Sequence, residues 1–182
     1  MKKDINSNGY IFLYSAILAV IVATLLSAAA LLLQPYQQRN KENEKRSMIL
    51  SAAGVTDGKI TFLDEALPLY LVNDSISVIP MEGKGLWGPI WGYIAIDSDG
   101  KTVIGANFDH KSETPGLGGE ITNEKFQSQF KGKQISNNGA YVPVEFDAIT
   151  GATKTSNGVK EMIDNTLEKY SAYLKKFAAR GE

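Results

Sequence analysis

The chain has 182 residues, a formal net charge of −1, one histidine and no cysteine. A near-neutral balance supplies no basic field for nucleic acid. The lack of cysteine excludes disulfides, thiolate nucleophiles and cysteine-ligated zinc or iron–sulfur centres, and His110 alone cannot build a histidine metal cluster.

Residues 1–10 form a short polar start, and Ile11 to Leu33 is an uncharged run of Ile, Leu, Val and Ala. At helical rise the run spans roughly 35 Å, against about 30 Å of bilayer hydrocarbon. Ser15, Thr24 and Ser27 can bond back to the helix's own carbonyls, so they do not argue against a span. Tyr10, Tyr14 and Tyr36 sit near its ends, as interfacial aromatics do. The run is too long for a usual signal-peptide core, so a retained single transmembrane helix over 11–33 is expected. Lys2 and Lys3 precede it, whereas Arg39, Lys41, Lys45 and Arg46 follow it. A bare positive-inside count therefore favours the C-terminal side inside.

Residues 34–54 read as a charged helical stalk, broken near Ala53-Gly54-Val55-Thr56-Asp57-Gly58. The rest, 55–182, reads as one α+β domain: an antiparallel sheet with helices packed on it. Strands are expected at Leu67–Val72 and Ser75–Ile79 around the turn Asn73-Asp74, and at Ile90–Ile96 and Thr102–Phe108 as a hairpin. Asp109 to Gly119 is a glycine-rich loop, Asn123–Phe130 a short helix and Tyr141–Phe146 a further strand. From Thr155 onward Val159, Met162, Ile163, Leu167, Tyr170, Leu174 and Phe177 recur at three- and four-residue steps, which predicts a helix capped by Thr155 or Ser156.

Three segments suit a ligand. Gly83 to Gly92 sets Leu86, Trp87 and Trp91 among mobile glycines, which suits a flat ring as well as a plain core turn. Glu113-Thr114-Pro115-Gly116-Leu117-Gly118-Gly119-Glu120 allows close backbone approach, as an ordinary loop also does. Thr150-Gly151-Ala152-Thr153-Lys154-Thr155 places hydroxyls just before a helix, where amides and the dipole favour a phosphate; simple capping is the alternative. His110 reads as a loop histidine, and Lys131-Gly132-Lys133 as a solvated turn.

In this order after an N-terminal anchor, the segments resemble the C subunit of the sodium-translocating NADH:quinone oxidoreductase. Gly85-Leu86-Trp87-Gly88-Pro89-Ile90-Trp91-Gly92-Tyr93, the Glu113–Glu120 stretch and Thr150-Gly151-Ala152-Thr153 carry the likeness. The homologous G subunit of Rnf-type complexes shares the last two, but the Gly-Leu-Trp-Gly-Pro segment resembles its sodium-pump counterpart more.

The resemblance implies FMN bound covalently by a phosphoester to Thr153, installed by a separate FAD-dependent flavin transferase. It further implies that Leu86 and Trp87 contact the ring, and that Glu113, Thr114, Leu117 and Gly118 form the opposite wall. Thr150, Gly151, Ala152 and Thr155 would shape the attachment turn; Lys154, a feature of this chain and not of the resemblance, would lie beside the phosphate and offset its charge. The chain would then be an electron-relaying subunit of a bacterial inner-membrane NADH:ubiquinone reductase, inactive alone. Its N-terminus would be cytoplasmic and its flavin domain periplasmic, against the charge count. The chain departs from the family in being short between Thr56–Leu63 and Gly83, and in having Lys154 where an aliphatic residue is common. Two other classes stay open: a non-redox, membrane-tethered binding module, and a hydrolase pairing His110 with Thr153.

Overall fold

The computed structural model describes residues 8–64, 67–137 and 140–178. Lys2, Lys3 and the side chain of Phe177 lie outside the described residues. The chain forms two compact units that divide between Lys45 and Arg46.

The first unit belongs to a helix, α1, which runs Asn8–Ala52. Every described residue up to Arg46 is exposed, including the whole apolar run. A helix that is hydrophobic all round and packs against nothing has the character of a membrane span. α1 is long and apolar enough to cross one. Two of its hydroxyls bond back within the helix as expected: Ser15 donates to the Ile11 carbonyl at 2.9 Å and Thr24 to that of Val20 at 2.7 Å. Pro35 lies inside α1. Its missing N–H costs one helical bond without ending the helix.

The second unit is α+β. Five strands, β1 (Ile60–Asp64), β2 (Leu69–Val72), β3 (Ile76–Lys84), β4 (Pro89–Ile96) and β5 (Val103–His110), pair antiparallel in chain order. Asn73 and Asp74 both take positive φ, 53° and 60°, in the three-residue connection between β2 and β3, where the Ser75 amide donates to the Val72 carbonyl at 3.3 Å. The β4–β5 turn is held by Asp99, which accepts the Lys101 and Thr102 amides at 2.7 and 2.8 Å.

Strand alternation sends side chains to two faces. Ile79, Met81, Ile90, Ile94, Ile96 and Phe108 pack under the helix α3 (Thr153–Ala178), which contributes Val159, Met162, Ile163 and Leu167. The same core takes in Phe126 of α2 (Glu124–Gln127) and Phe130 of the 3-10 turn Ser128–Phe130. On the other face Tyr70, Val72, Val78 and Ala95 pack with Ile49, Leu50 and Ala52 from the end of α1. This is the layered α+β arrangement expected from the sequence.

Five local expectations change. The expected loop Asp109–Gly119 begins inside β5, which ends on His110, and runs into a 3-10 turn, Gly118–Thr122. Ile60–Asp64 is a strand that was not expected. β3 extends five residues past Ile79 because β4 pairs with it continuously as far as Lys84↔Pro89. Tyr141–Phe146 is not a strand: only Tyr141 pairs, in the short ladder between β6 (Ser136–Asn137) and β7 (Ala140–Tyr141). Pro143 has no N–H to give a ladder, and the alternating Val144 and Phe146 pack into the core without a strand neighbour. Finally, α3 begins at Thr153 and not at Thr155.

Candidate functional site

Local chemistry shapes each of the three glycine segments. At the end of β3 and β4, the Gly85 amide donates to the Gly88 carbonyl at 2.8 Å. That leaves Leu86 and Trp87 as the hairpin tip, 44% and 67% exposed. After β5, the Leu117 amide donates to the Thr114 carbonyl at 3.1 Å with Gly116 at φ +75°. Proline followed by a left-handed glycine is the pattern of a type II turn. The third segment also closes on a left-handed glycine: the Ala152 amide donates to the Ile149 carbonyl at 2.9 Å, with Gly151 at φ +78°. The Ser156 amide then makes the first helical bond of α3, to Ala152 at 3.0 Å. The amides of Thr153, Lys154 and Thr155 precede that bond, so they belong to the donors a helix start leaves open.

Glu113 ties the three segments together. It is 4% exposed. Its Oε1 accepts the Trp87 amide at 2.8 Å, and its Oε2 accepts the Thr155 hydroxyl at 2.6 Å. The Gly88 amide also bonds the carboxyl. Burial pushes the Glu113 carboxyl upward, but the Thr155 hydroxyl, the Trp87 and Gly88 amides and nearby His110 outweigh it, holding the carboxyl below its usual range. The glycines make room for this carboxylate. A Cβ on Gly85 would meet Glu113 Oε1 at 2.5 Å, and one on Gly118 would run into Glu113 Oε2 and Thr155 Oγ1.

The expected site residues thus divide. Leu86, Trp87, Glu113, Gly118 and Thr155 come together around one buried carboxylate. Leu117, 42% exposed, lies against Gly151. Thr153 and Lys154 are exposed on the first turn of α3, and Ala152 is buried beneath them. Thr150 instead lines a groove of about 490 Å³ with Phe126, Gln129 and Asp147. Thr114 stays exposed and joins the site through its carbonyl, which accepts the Leu117 and Gly119 amides.

Neither expected cap holds. Thr155 bonds Glu113, and Ser156 Oγ donates to the Ala152 carbonyl and accepts the Ile149 amide. His110 accepts the Glu113 amide at Nδ1, 3.2 Å away, and among the described residues no bond joins it to Thr153.

Comparison with known proteins fits this geometry. The family model for the FMN-binding domain matches residues 85–168, a stretch that takes in the first segment from Gly85 onward and the whole of the other two. A crystal structure of the Na(+)-translocating NADH-quinone reductase C subunit from Parabacteroides distasonis is 31% identical. It superposes with a TM-score of 0.67 over 78% of this chain and 96% of that one. The chain belongs to the family of Na(+)-translocating NADH-quinone reductase C subunits. The family member from Vibrio vulnificus strain YJ016 is 36% identical over 146 residues, covering 71% of this chain and 57% of the relative. The chain therefore spans little more than half the length of that curated relative. Shewanella oneidensis NqrC shares the fold, with a TM-score of 0.63 at 22% identity.

Proposed function

We propose that this chain is a membrane-anchored electron-relay protein that carries FMN through a phosphoester on Thr153. The observation that carries the reading is where the FMN-binding match falls. It spans the segments that Glu113 joins, and within it an exposed threonine begins a helix. The donor set fits a phosphate ester: a free hydroxyl, three first-turn amides and the Lys154 ammonium. The exposed Leu86, Trp87 and Leu117 are apolar surfaces suited to a flat ring.

Attachment forms a bond from Thr153 Oγ1 to phosphorus as the pyrophosphate bond of FAD breaks. AMP leaves, and the hydroxyl proton passes to a base on the flavin transferase. Bound FMN supplies one- and two-electron carriage. The chain's own residues do the rest. Thr150, Gly151 and Ala152 form the turn that presents Thr153. Glu113 fixes the hairpin tip relative to α3 through Trp87 and Thr155. Leu86, Trp87, Leu117 and the Thr114 loop shield the ring and give its edges polar partners.

In this reading the protein works within a multi-subunit NADH:quinone oxidoreductase that moves sodium, between redox centres of its neighbours in the complex, and has no turnover alone. α1 anchors it in a bacterial inner membrane with the N-terminus cytoplasmic and the domain periplasmic. The basic residues after Leu33 run against that orientation.

Co-expression of the full chain with a flavin transferase tests the reading. Intact mass should rise by FMN less one water, and the denatured band should fluoresce. Thr153→Ala should lose both signals. An unmodified wild-type chain, or flavin retained by Thr153→Ala, would overturn the assignment.

A further inference from the structure

Among the described residues no strand lies beside the stretch between β7 and α3, yet it delivers the attachment turn. Side chains hold it instead. The Phe146 ring packs against Phe126 and Phe130, with centroids 5.5 and 4.9 Å apart. The next residue, Asp147, has both backbone groups taken by one side chain. Its amide donates to Gln129 Oε1 at 2.8 Å, and its carbonyl accepts Gln129 Nε2 at 3.3 Å. A primary amide carries the same donor and acceptor pair as a peptide group. Gln129 therefore stands in for the missing neighbour strand at one position. Two residues on, the Ile149 amide donates to Ser156 Oγ at 3.0 Å, and the Thr150-Gly151 turn follows at once. The Asp147 carboxylate is left exposed on the groove beside this turn.

We propose that Gln129 is a positioning residue for flavin attachment: its amide fixes the Asp147 backbone so that residues 147–153 meet the transferase in one conformation. The inference rests on the attachment reading above. Without the clamp, the segment must be ordered at the encounter, and apparent affinity falls by the fraction of time it is correctly placed. Once the segment is bound, the hydroxyl chemistry at Thr153 is unchanged. The defect therefore falls on KM and leaves kcat alone.

The test uses the full-length, unflavinylated chain in detergent, with purified flavin transferase and FAD, and follows attachment by intact mass. Gln129→Ala should lower kcat/KM roughly five- to fiftyfold with kcat held. Gln129→Glu keeps the acceptor for the Asp147 amide and loses the donor, so it should fall between Gln129→Ala and wild type. Hydrogen exchange at the Asp147 amide should speed up in Gln129→Ala, while the Ala152 amide, held by the Ile149 carbonyl, should not. A variant that merely loosened the fold would instead lower the thermal midpoint and speed exchange at both amides.

Unchanged KM in folded Gln129→Ala overturns the proposal. So does an Asp147 amide that exchanges in the wild type as fast as an unprotected one, a measurement that needs no variant to fold. A wild-type chain that takes up no flavin overturns the attachment reading and this inference with it. Normal wild-type uptake alongside normal Gln129→Ala kinetics overturns this inference alone.

Discussion

The β3–β4 hairpin and the stretch from Tyr141 to Ser156 both lead into the same site, and they are held by different means. The hairpin pairs from Ser77↔Ile96 to Lys84↔Pro89 without a break in register. Its backbone bonds carry Leu86 and Trp87 to their place whatever the outward-facing side chains are. The second stretch leaves its short ladder at Tyr141, with one further backbone bond from the Val142 amide to the Ile135 carbonyl at 2.9 Å. It relies on Phe146 in an aromatic cluster, on Gln129 against Asp147 and on Ser156 against Ile149. A laddered strand is a poor substrate for another enzyme, because its backbone is already occupied. A stretch fixed by a few side chains can be ordered and still accessible.

The largest effect should come from the residue that links the two regions. Glu113→Ala strips partners from the Trp87 and Gly88 amides and the Thr155 hydroxyl. It should cost about 3–5 kcal/mol in denaturant unfolding. Amide exchange in the hairpin ladder should stay slow below the unfolding transition. Early loss of the ladder would mean that the hairpin is not self-supporting and would break the contrast.

Next in size is Thr155→Val, which leaves one carboxylate oxygen of Glu113 without its donor and should cost about 1.5–3 kcal/mol. It also has a pH signature. The Glu113 carboxyl lies below its usual range. The ionised form's stabilisation is therefore present above the ordinary carboxylate range and is lost as pH falls through the lowered value. Removing the Thr155 hydroxyl lets that value rise toward the unfolded one, so the variant loses less stability to acid and the cost of the substitution should shrink as pH falls through the carboxylate range. Unfolding free energies of both proteins across the acid range would measure it, and a cost that grows toward low pH contradicts the assignment.

A smaller effect should separate attachment from stability. Lys154→Glu puts an anion beside the helix amides, where the flavin phosphate would lie. It should slow flavin attachment about two- to tenfold at low salt, less at high salt, while stability rises by a few tenths of a kcal/mol from the dipole. Unchanged attachment at low salt removes Lys154 from the site.

The smallest change should be Ser77→Ala, in the laddered region. The Ser77 hydroxyl is buried with no hydrogen-bond partner among the described residues. Its removal should leave stability unchanged or raise it by up to about 1 kcal/mol. A loss there would show that side-chain hydrogen bonds matter in the ladder too.

How far the sequence spoke differs between the same two regions. Asn73-Asp74, Asp97–Gly100 and the helical recurrence from Val159 to Leu174 are local signals, and the elements they imply form. Ile60-Thr61-Phe62-Leu63 was also readable as a β-branched and aromatic run, but the nearby Gly54–Gly58 break draws it toward loop. The extension of β3 through Pro80 and Gly83 depends on β4 lying alongside, which no window of β3 contains. Tyr141–Phe146 misleads because its alternation is genuine and serves burial, not pairing. The three glycine segments were legible in the sequence, but not the bond from Thr155 to Glu113, 42 residues apart. Gln129 carried no signal: one glutamine in a short polar helix gains meaning only when Asp147 is beside it.

The end of α1 bears on how a soluble version of this protein should be cut. Ile49, Leu50 and Ala52 are 2%, 6% and 0% exposed against Val72, Val78 and Ala95. Arg46 adds an ion pair to Asp57 at 2.9 Å and a bond to the Gly58 carbonyl. A truncation that begins at Val55 removes these partners and opens an apolar sheet face to water, inviting aggregation. One that begins at or before Arg46 keeps that face covered. The last two turns of α1 are therefore domain sequence, and an expression fragment that removed the whole of α1 would discard part of the core.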